Sequence, residues 1–218
     1  MDDVYPGTEA PRRRSGRPDK PIPRAELVRV ARGLFADHGY AGVSMADIAH
    51  KAGLQKSSLF HHFPTKERLY RDVLEGVLAE VAEAVRAALQ SPGEGFLERL
   101  DAASTAAARA LGEDATRARI VMRELLNQDG STAHFDTIVQ LIEATAAYFE
   151  AGAEAGAWPR QDFTQAVLTI AGIHCFYFAV PAVTRRVGGF DPFRADAVER
   201  RVQAVRRQVR QVLDVPGA

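Results

Sequence analysis

The strongest constraint on this chain lies between Ser44 and Lys66, where two apolar-periodic segments are separated by a single glycine, Gly53, and closed by Pro64. Each segment has about two helical turns, well short of the length at which an isolated helix holds in water. They must therefore be held by packing on one another. Ser44 stands where an N-cap belongs, Asp47 follows three residues on in a capping-box-like arrangement, and Ile48 and Ala49 begin the apolar stripe. Gly53 tolerates a left-handed backbone, Ala49 permits close approach, and Ile48, Leu54 and Leu59 supply the apolar contacts that lock the pair. This is helix-turn-helix spacing. In such a unit the second helix presents its N-terminal side chains to base edges in the major groove, while neighbouring residues hold the phosphates.

The flanking sequence extends the same reading. Leu27, Val30, Ala31, Leu34 and Phe35 recur at helical spacing, with Glu26 in the first turn and Gly39 as the stop. A third helix is expected from about Lys56 to Phe63. Pro64 breaks it, and Thr65 caps a long fourth helix whose inward stripe is Leu69, Val73, Val77, Val81, Val85 and Leu89. Further helices are expected at about 95–111, 115–127, 133–155, 163–184 and 194–213, and no period-two run bounded by turns appears. The fold class is therefore all-α with about nine helices. Residues 1–21, rich in Pro, Gly and charge, read as a disordered basic arm; 22–68 as a three-helix DNA-binding domain; and 69–218 as a ligand-binding and dimerisation domain.

Charge and cysteine usage narrow the function classes. The 28 basic and 28 acidic side chains cancel, yet the first 72 residues hold 13 basic and 9 acidic, leaving 15 and 19 for the remainder. The balance is thus about +4 against −4, and a modestly basic first third suits a polyanion partner. Cys175 is the only cysteine, which excludes an intramolecular disulfide and a thiolate zinc cage and fits a reducing cytoplasm. Arg12, Arg13 and Arg14 are followed by Pro, Gly and charge rather than the apolar run of a signal peptide, so a cytoplasmic location is expected. His61 beside His62, and His174 beside Cys175, point to different helix faces, which argues against a metal pair and against a nucleophile and base. No catalytic set, metal or cofactor is expected.

The window, with helix one and the start of helix four, resembles the tetracycline-repressor (TetR) family of bacterial regulators. The match is carried by Leu34-Phe35 with Gly39-Tyr40, Val43 to Ala49, Ala52-Gly53-Leu54, and Lys56 to Lys66. The resemblance implies that Lys56, Ser57 and Ser58 open the recognition helix and face bases or nearby phosphates, and that Ser44, His61, His62 and Lys66 hold the DNA backbone. Phe60 stands where the family usually has a tyrosine, losing a hydroxyl that contacts phosphate, and His62 replaces another frequent aromatic. Gly16-Arg17-Pro18 resembles the core of an AT-hook, which would put Arg17 in an A·T minor groove; the alternative is a solubilising tail. The resemblance further implies double-stranded DNA as partner and a homodimer formed through the last two helices. Two copies would read palindromic half-sites roughly 34 Å apart, with repression as the usual output.

The second half carries the sensing expectations. The stretch 163–184 has no charged residue and apolar side chains on nearly every face, so it reads as buried all round, although its length also permits a membrane span. Val198, Val202, Val205, Val209 and Val212 form a seam on the next helix, fit to pack on another helix, and a dimer burying both is preferred to a membrane anchor. Met122, Phe135, Tyr148, His174 and Tyr177 are the candidate contacts for a small, mostly hydrophobic effector. The expected function is a ligand-responsive transcription repressor; the alternatives are a membrane-associated DNA-binding protein and an enzyme using the C-terminal apolar pocket.

Overall fold

The computed structural model describes residues 22–92, 95–126 and 133–215, the side chains of 133–137 excepted; among these residues every regular element is an α-helix. The order is α1 (Arg24–His38), α2 (Met45–Ala52), α3 (Lys56–His62), α4 (Lys66–Leu89), α5 (Phe96–Glu113), α6 (Arg117–Leu125), α7 (Ala133–Glu154), α8 (Phe163–Ala179), α9 (Pro181–Gly188) and α10 (Ala195–Val212).

Local chemistry sets the first four boundaries. Ser44 Oγ accepts from the Asp47 N–H at 3.2 Å, and the Asp47 carboxylate accepts from the Ser44 N–H at 2.8 Å, a complete capping box for α2. Gly53 ends α2 at φ 70°, ψ 26°, and its N–H donates to the carbonyls of Ala49 and His50. A side chain there would meet the left-handed backbone penalty. Thr65 caps α4 by accepting from the Arg68 N–H at 3.1 Å. Leu27, Ala31, Phe35, Ile48, Leu59 and Phe63 close the core of the three short helices. That core does not stop at α3. It continues through Leu69, Val73, Leu74 and Val77 of α4 to Ile120 and Val121 of α6 and Ile138 of α7.

The C-terminal part packs around α5. Val202 and Val205 of α10 close against Ala108, and Val209 joins a second core with Leu100, Phe149, Trp158 and Phe163. Gly112 lets the two helices meet: a Cβ there would sit 2.8 Å from Val198 Cγ2 and 3.3 Å from the Phe178 ring. Asp101 of α5 is buried and accepts from both Arg206 and Arg210 of α10, at 2.5 Å each. Burial alone would raise the Asp101 carboxyl, but the Arg210 and Arg206 hydrogen bonds outweigh it and hold the group below the usual aspartate range.

Three expectations from the sequence need correction. The stretch 163–184 is two helices, so ten helices stand among the described residues where about nine were expected. Pro181 lacks an N–H and clashes with a preceding turn, so it opens α9 at its first position, and α8 and α9 meet at a bend of 77°. No single described helix is long and apolar enough to cross a membrane. Secondly, α8 is not buried all round: Leu168 is 48% exposed and Phe176 59%, and Val183 and Val187 of α9 are also exposed. Thirdly, the valine seam of α10 is consumed inside the chain by α5. Exposed apolar side chains remain on α8 and α9, as they do at Phe60, Leu125 and Leu126.

The close approach at Gly112 yields a test by urea denaturation. Gly112→Ala is expected to destabilise by about 1–3 kcal/mol because α10 must move away. Gly33→Ala, in α1 with nothing within 4 Å of the added methyl, is expected to stabilise by roughly 0.5–1 kcal/mol through helix propensity.

Candidate nucleic-acid interface and core cavity

On α3 the buried positions are Leu59 and, at the cap, Phe63, so the remaining residues project from the opposite side. Lys56, Ser57, Phe60 and His61 are exposed, while Ser58 and His62 are half-buried. This gives one free face carrying a cation, a hydroxyl, an aromatic ring and an imidazole. The Lys56 ammonium lies 5.7 Å from the Phe60 ring centroid, so the phenyl ring restrains the lysine without taking one of its N–H donors. Gln55, exposed at the N-cap of α3, belongs to the same surface. The sequence reading passed over it, although its place one residue before α3 was the available signal.

Ser44 and Lys66 sit differently from that face. The Ser44 hydroxyl is engaged with Asp47 in the capping box. Lys66 is half-buried, and its ammonium donates to the carbonyls of Tyr40 at 2.9 Å and Val43 at 3.0 Å while lying 4.1 Å from the Tyr40 ring centroid. Lys66 thus fastens the turn between α1 and α2 to the start of α4. Two of its three donors are engaged within the chain, so Lys66 holds this turn in place. Arg17 lies outside the described residues.

Helices α1 to α4 are fastened to the rest of the chain through α6. Arg123 donates to the carbonyls of Ala36 at 3.2 Å and Asp37 at 3.1 Å, satisfying the open C-terminal end of α1. Arg119 pairs with the Asp37 carboxylate at 2.6 Å. The Tyr70 hydroxyl of α4 donates to the buried Glu124 at 3.1 Å, and burial together with that carboxylate pushes the phenol well above its ordinary range. A further cluster joins Arg32 of α1 to Glu80 and Asp114, with Arg117 also on Glu80 at 2.7 Å.

The other face of α6 lines a cavity of about 380 Å³. Leu78, Val81, Val85 and Leu89 of α4 form one wall, and α5, α7 and α8 supply the others, with Val121, Met122 and Leu125 from α6. Among the described residues the lining holds no charged side chain; its polar members are Ser104, Thr145, His174 and Cys175. His174 is buried, with Nδ1 2.9 Å from the Ile170 carbonyl and Nε2 3.3 Å from the Ser104 carbonyl. Burial lowers its pKa, and a neutral imidazole carries one N–H, so it donates to one of these carbonyls at a time. Burial also raises the Cys175 thiol to about 11, which leaves it an unreactive S–H.

Of the five expected effector contacts, Met122 and His174 line this cavity. Tyr148 and Tyr177 do not. Tyr148 donates to the Phe96 carbonyl at 3.0 Å within a cluster of rings that includes Trp158, and Tyr177 stacks beneath the Arg201 guanidinium at 4.6 Å. The Phe135 side chain lies outside the described residues. A wider groove along α1 and α4 is lined by Arg24, Arg32, Arg68, Asp72 and Glu80, but these charges pair with one another. It reads as a solvated face.

Comparison with known proteins bears on the first third of the chain most directly. Residues 27–73 match the family profile described as "Bacterial regulatory proteins, tetR family". The HTH-type transcriptional repressor AcnR of Corynebacterium efficiens is 37% identical over 68 residues, which is 31% of this chain and 36% of that protein. The match therefore spans about a third of that relative's length. Over the whole fold, the ketosteroid transcriptional regulator KstR2 of Mycobacterium tuberculosis superposes with TM-score 0.66 at 24% identity, covering 88% of this chain and 93% of that one. AibR in complex with isovaleryl coenzyme A and operator DNA superposes with TM-score 0.68 at 18% identity, covering 88% and 98%. At these identities the likeness establishes the fold.

Two outcomes test the geometry. Lys66→Ala is expected to destabilise by about 1–2 kcal/mol, or roughly 3–6 °C in thermal denaturation, because two carbonyls lose a charged donor. Exposed Lys56→Ala should leave the melting temperature within about 1 °C. For His174 the folded pKa lies below the ordinary 6.5, so the unfolded chain takes up the proton first. Its contribution is present above pH 6.5 and is lost as pH falls through the lowered folded value. Melting curves from pH 7.5 to 5.5 should decline less steeply for His174→Gln than for the unsubstituted protein.

Proposed function

We propose that this chain, whose residues 27–73 belong to the tetR family of bacterial regulatory proteins, is a sequence-specific transcription regulator, released from a palindromic operator by a small, mostly hydrophobic molecule. Residues 22–68 are its DNA-binding segment and 69–218 its sensing and dimerising part. The observation that carries the reading is the double role of α6. One face of this short helix lines the cavity through Val121, Met122 and Leu125, while Arg119, Arg123 and Glu124 hold α1 and α4 of the DNA-facing head. A molecule in the cavity cannot shift α6 without pulling on the carbonyls of Ala36 and Asp37. Because α4 both lines the cavity and begins at the recognition helix, the two connections act together.

In this scheme Lys56, Ser57 and Ser58 face bases or nearby phosphates, with Phe60, His61 and His62 beside them, and Ser44 and Lys66 keep α2 and the α1–α2 turn in place. Specificity requires two copies, since one helix of about two turns reads too few base pairs. The exposed apolar face of α8 and α9 is the surface for the second copy, with Leu168, Phe176, Val183 and Val187 at its centre. Effector and operator then compete through a linkage free energy, typically 1–3 kcal/mol or about 5–150-fold in affinity. Repression is the proposed sign.

Selection from a random duplex library at two salt concentrations tests the reading. An enriched palindrome is expected, and Lys56→Ala should weaken its binding about five- to tenfold and lower the salt dependence by roughly 0.9 in log–log slope if it holds one phosphate. In sedimentation velocity the unsubstituted protein should run as two chains and Phe176→Asp as one. Salt-sensitive binding with no enriched sequence would reduce the head to a nonspecific DNA grip, and absence of binding would end the reading.

A further inference from the structure

The cavity's chemistry restricts its occupant further than a preference for hydrophobic molecules. The walls are aliphatic almost throughout, and among the described residues no Lys, Arg, Asp or Glu reaches them. The one titratable base, His174, is uncharged near neutral pH and already lies against the carbonyls of Ile170 and Ser104. The Thr145 hydroxyl is spent on the Leu141 carbonyl at 2.8 Å, and the Cys175 thiol is a weak donor. Ser104 is the exception. It is 5% exposed and lines the cavity, yet its hydroxyl makes no hydrogen bond among the described residues. Its hydroxyl stands at the cavity wall, where it can donate to or accept from an incoming oxygen.

We infer that the cavity selects an uncharged, largely aliphatic molecule bearing one carbonyl or hydroxyl oxygen that pairs with Ser104, and that it rejects carboxylates and other anions of the same length. This rests on the effector-cavity reading above and adds the ligand's charge, size and anchor. Charge follows from the lining: a carboxylate moved into an aliphatic site loses its hydration and finds no cation in return. Size follows from the volume. A space of about 380 Å³ is the share of about a dozen liquid waters at roughly 30 Å³ each, so about a dozen methylene-sized groups fill it. A coenzyme A thioester, the ligand present in the AibR complex, would have to leave its polyanionic part outside.

The test uses the full chain and a neutral fluorescent probe, N-phenyl-1-naphthylamine, displaced by ligands of matched length at pH 8: 1-undecanol, 2-undecanone, undecanoate and decanoyl coenzyme A. The alcohol and ketone are expected to displace the probe at least tenfold more tightly than undecanoate or the thioester. Ser104→Ala should weaken the alcohol and ketone about tenfold relative to the probe. Undecanoate or decanoyl coenzyme A binding as tightly as the alcohol, or an unaltered alcohol affinity in Ser104→Ala, would overturn the inference while leaving the cavity as the effector site. Failure of the probe and of every ligand to bind, or binding that is indifferent to filling the space with Ala107→Leu, would overturn the cavity reading itself.

Discussion

The contact on which the rest of this structure turns is the hold of Arg123 on the last carbonyls of α1. A helix C-terminus presents unsatisfied carbonyl oxygens and a partial negative charge. Here the guanidinium that meets them comes from a helix more than eighty residues further along the chain, at 3.2 Å to Ala36 and 3.1 Å to Asp37. Arg119 on Asp37 and Tyr70 on Glu124 repeat the connection on either side. Gly39 caps only the Phe35 carbonyl of α1, at 2.9 Å, and the Ala36 and Asp37 carbonyls are met by α6. The hold of α6 on these carbonyls makes the orientation of α1 a property of the whole chain.

Packing leads to the same conclusion. The core that begins at Leu27 continues without interruption through α4 to Ile120, Val121 and Ile138. Densely packed interiors transmit small displacements rather than absorbing them. Val121 belongs to this core and also to the cavity lining, so an occupant of the cavity presses on residues that touch the head. At the other end, Asp101 clamps α10 to α5 through two arginines and Gly112 allows the helices to close. This fixes the frame against which α6 and α4 can move.

The sequence made the head legible for reasons that are local. A serine and an aspartate three residues apart specify a helix start, a glycine after two turns specifies its end, and a proline followed by threonine specifies the next beginning. These interactions span a few residues, so the boundaries of α1 to α4 follow from the sequence. The cavity was legible only in outline. Met122 and His174 were picked out, but Leu78, Val81 and Val85 read as ordinary core stripe, because an apolar residue beside a void and one beside another side chain have the same spacing.

By itself, then, the sequence determined the helical class, the helix-turn-helix unit and its free face at Lys56, Ser57, Phe60 and His61, since these follow from capping, turn chemistry and 3.6-residue periodicity. Only the tertiary structure decided where long-range partners fall. It engaged Lys66 on the carbonyls of Tyr40 and Val43, spent the valine seam of α10 on α5, and left Leu168, Phe176, Val183 and Val187 uncovered. It also placed Tyr148 and Tyr177 away from the cavity and Ser104 on its wall. The physical reason is the same in each case: periodicity tells which side of a helix is buried, whereas the identity of what buries it depends on residues distant in the chain.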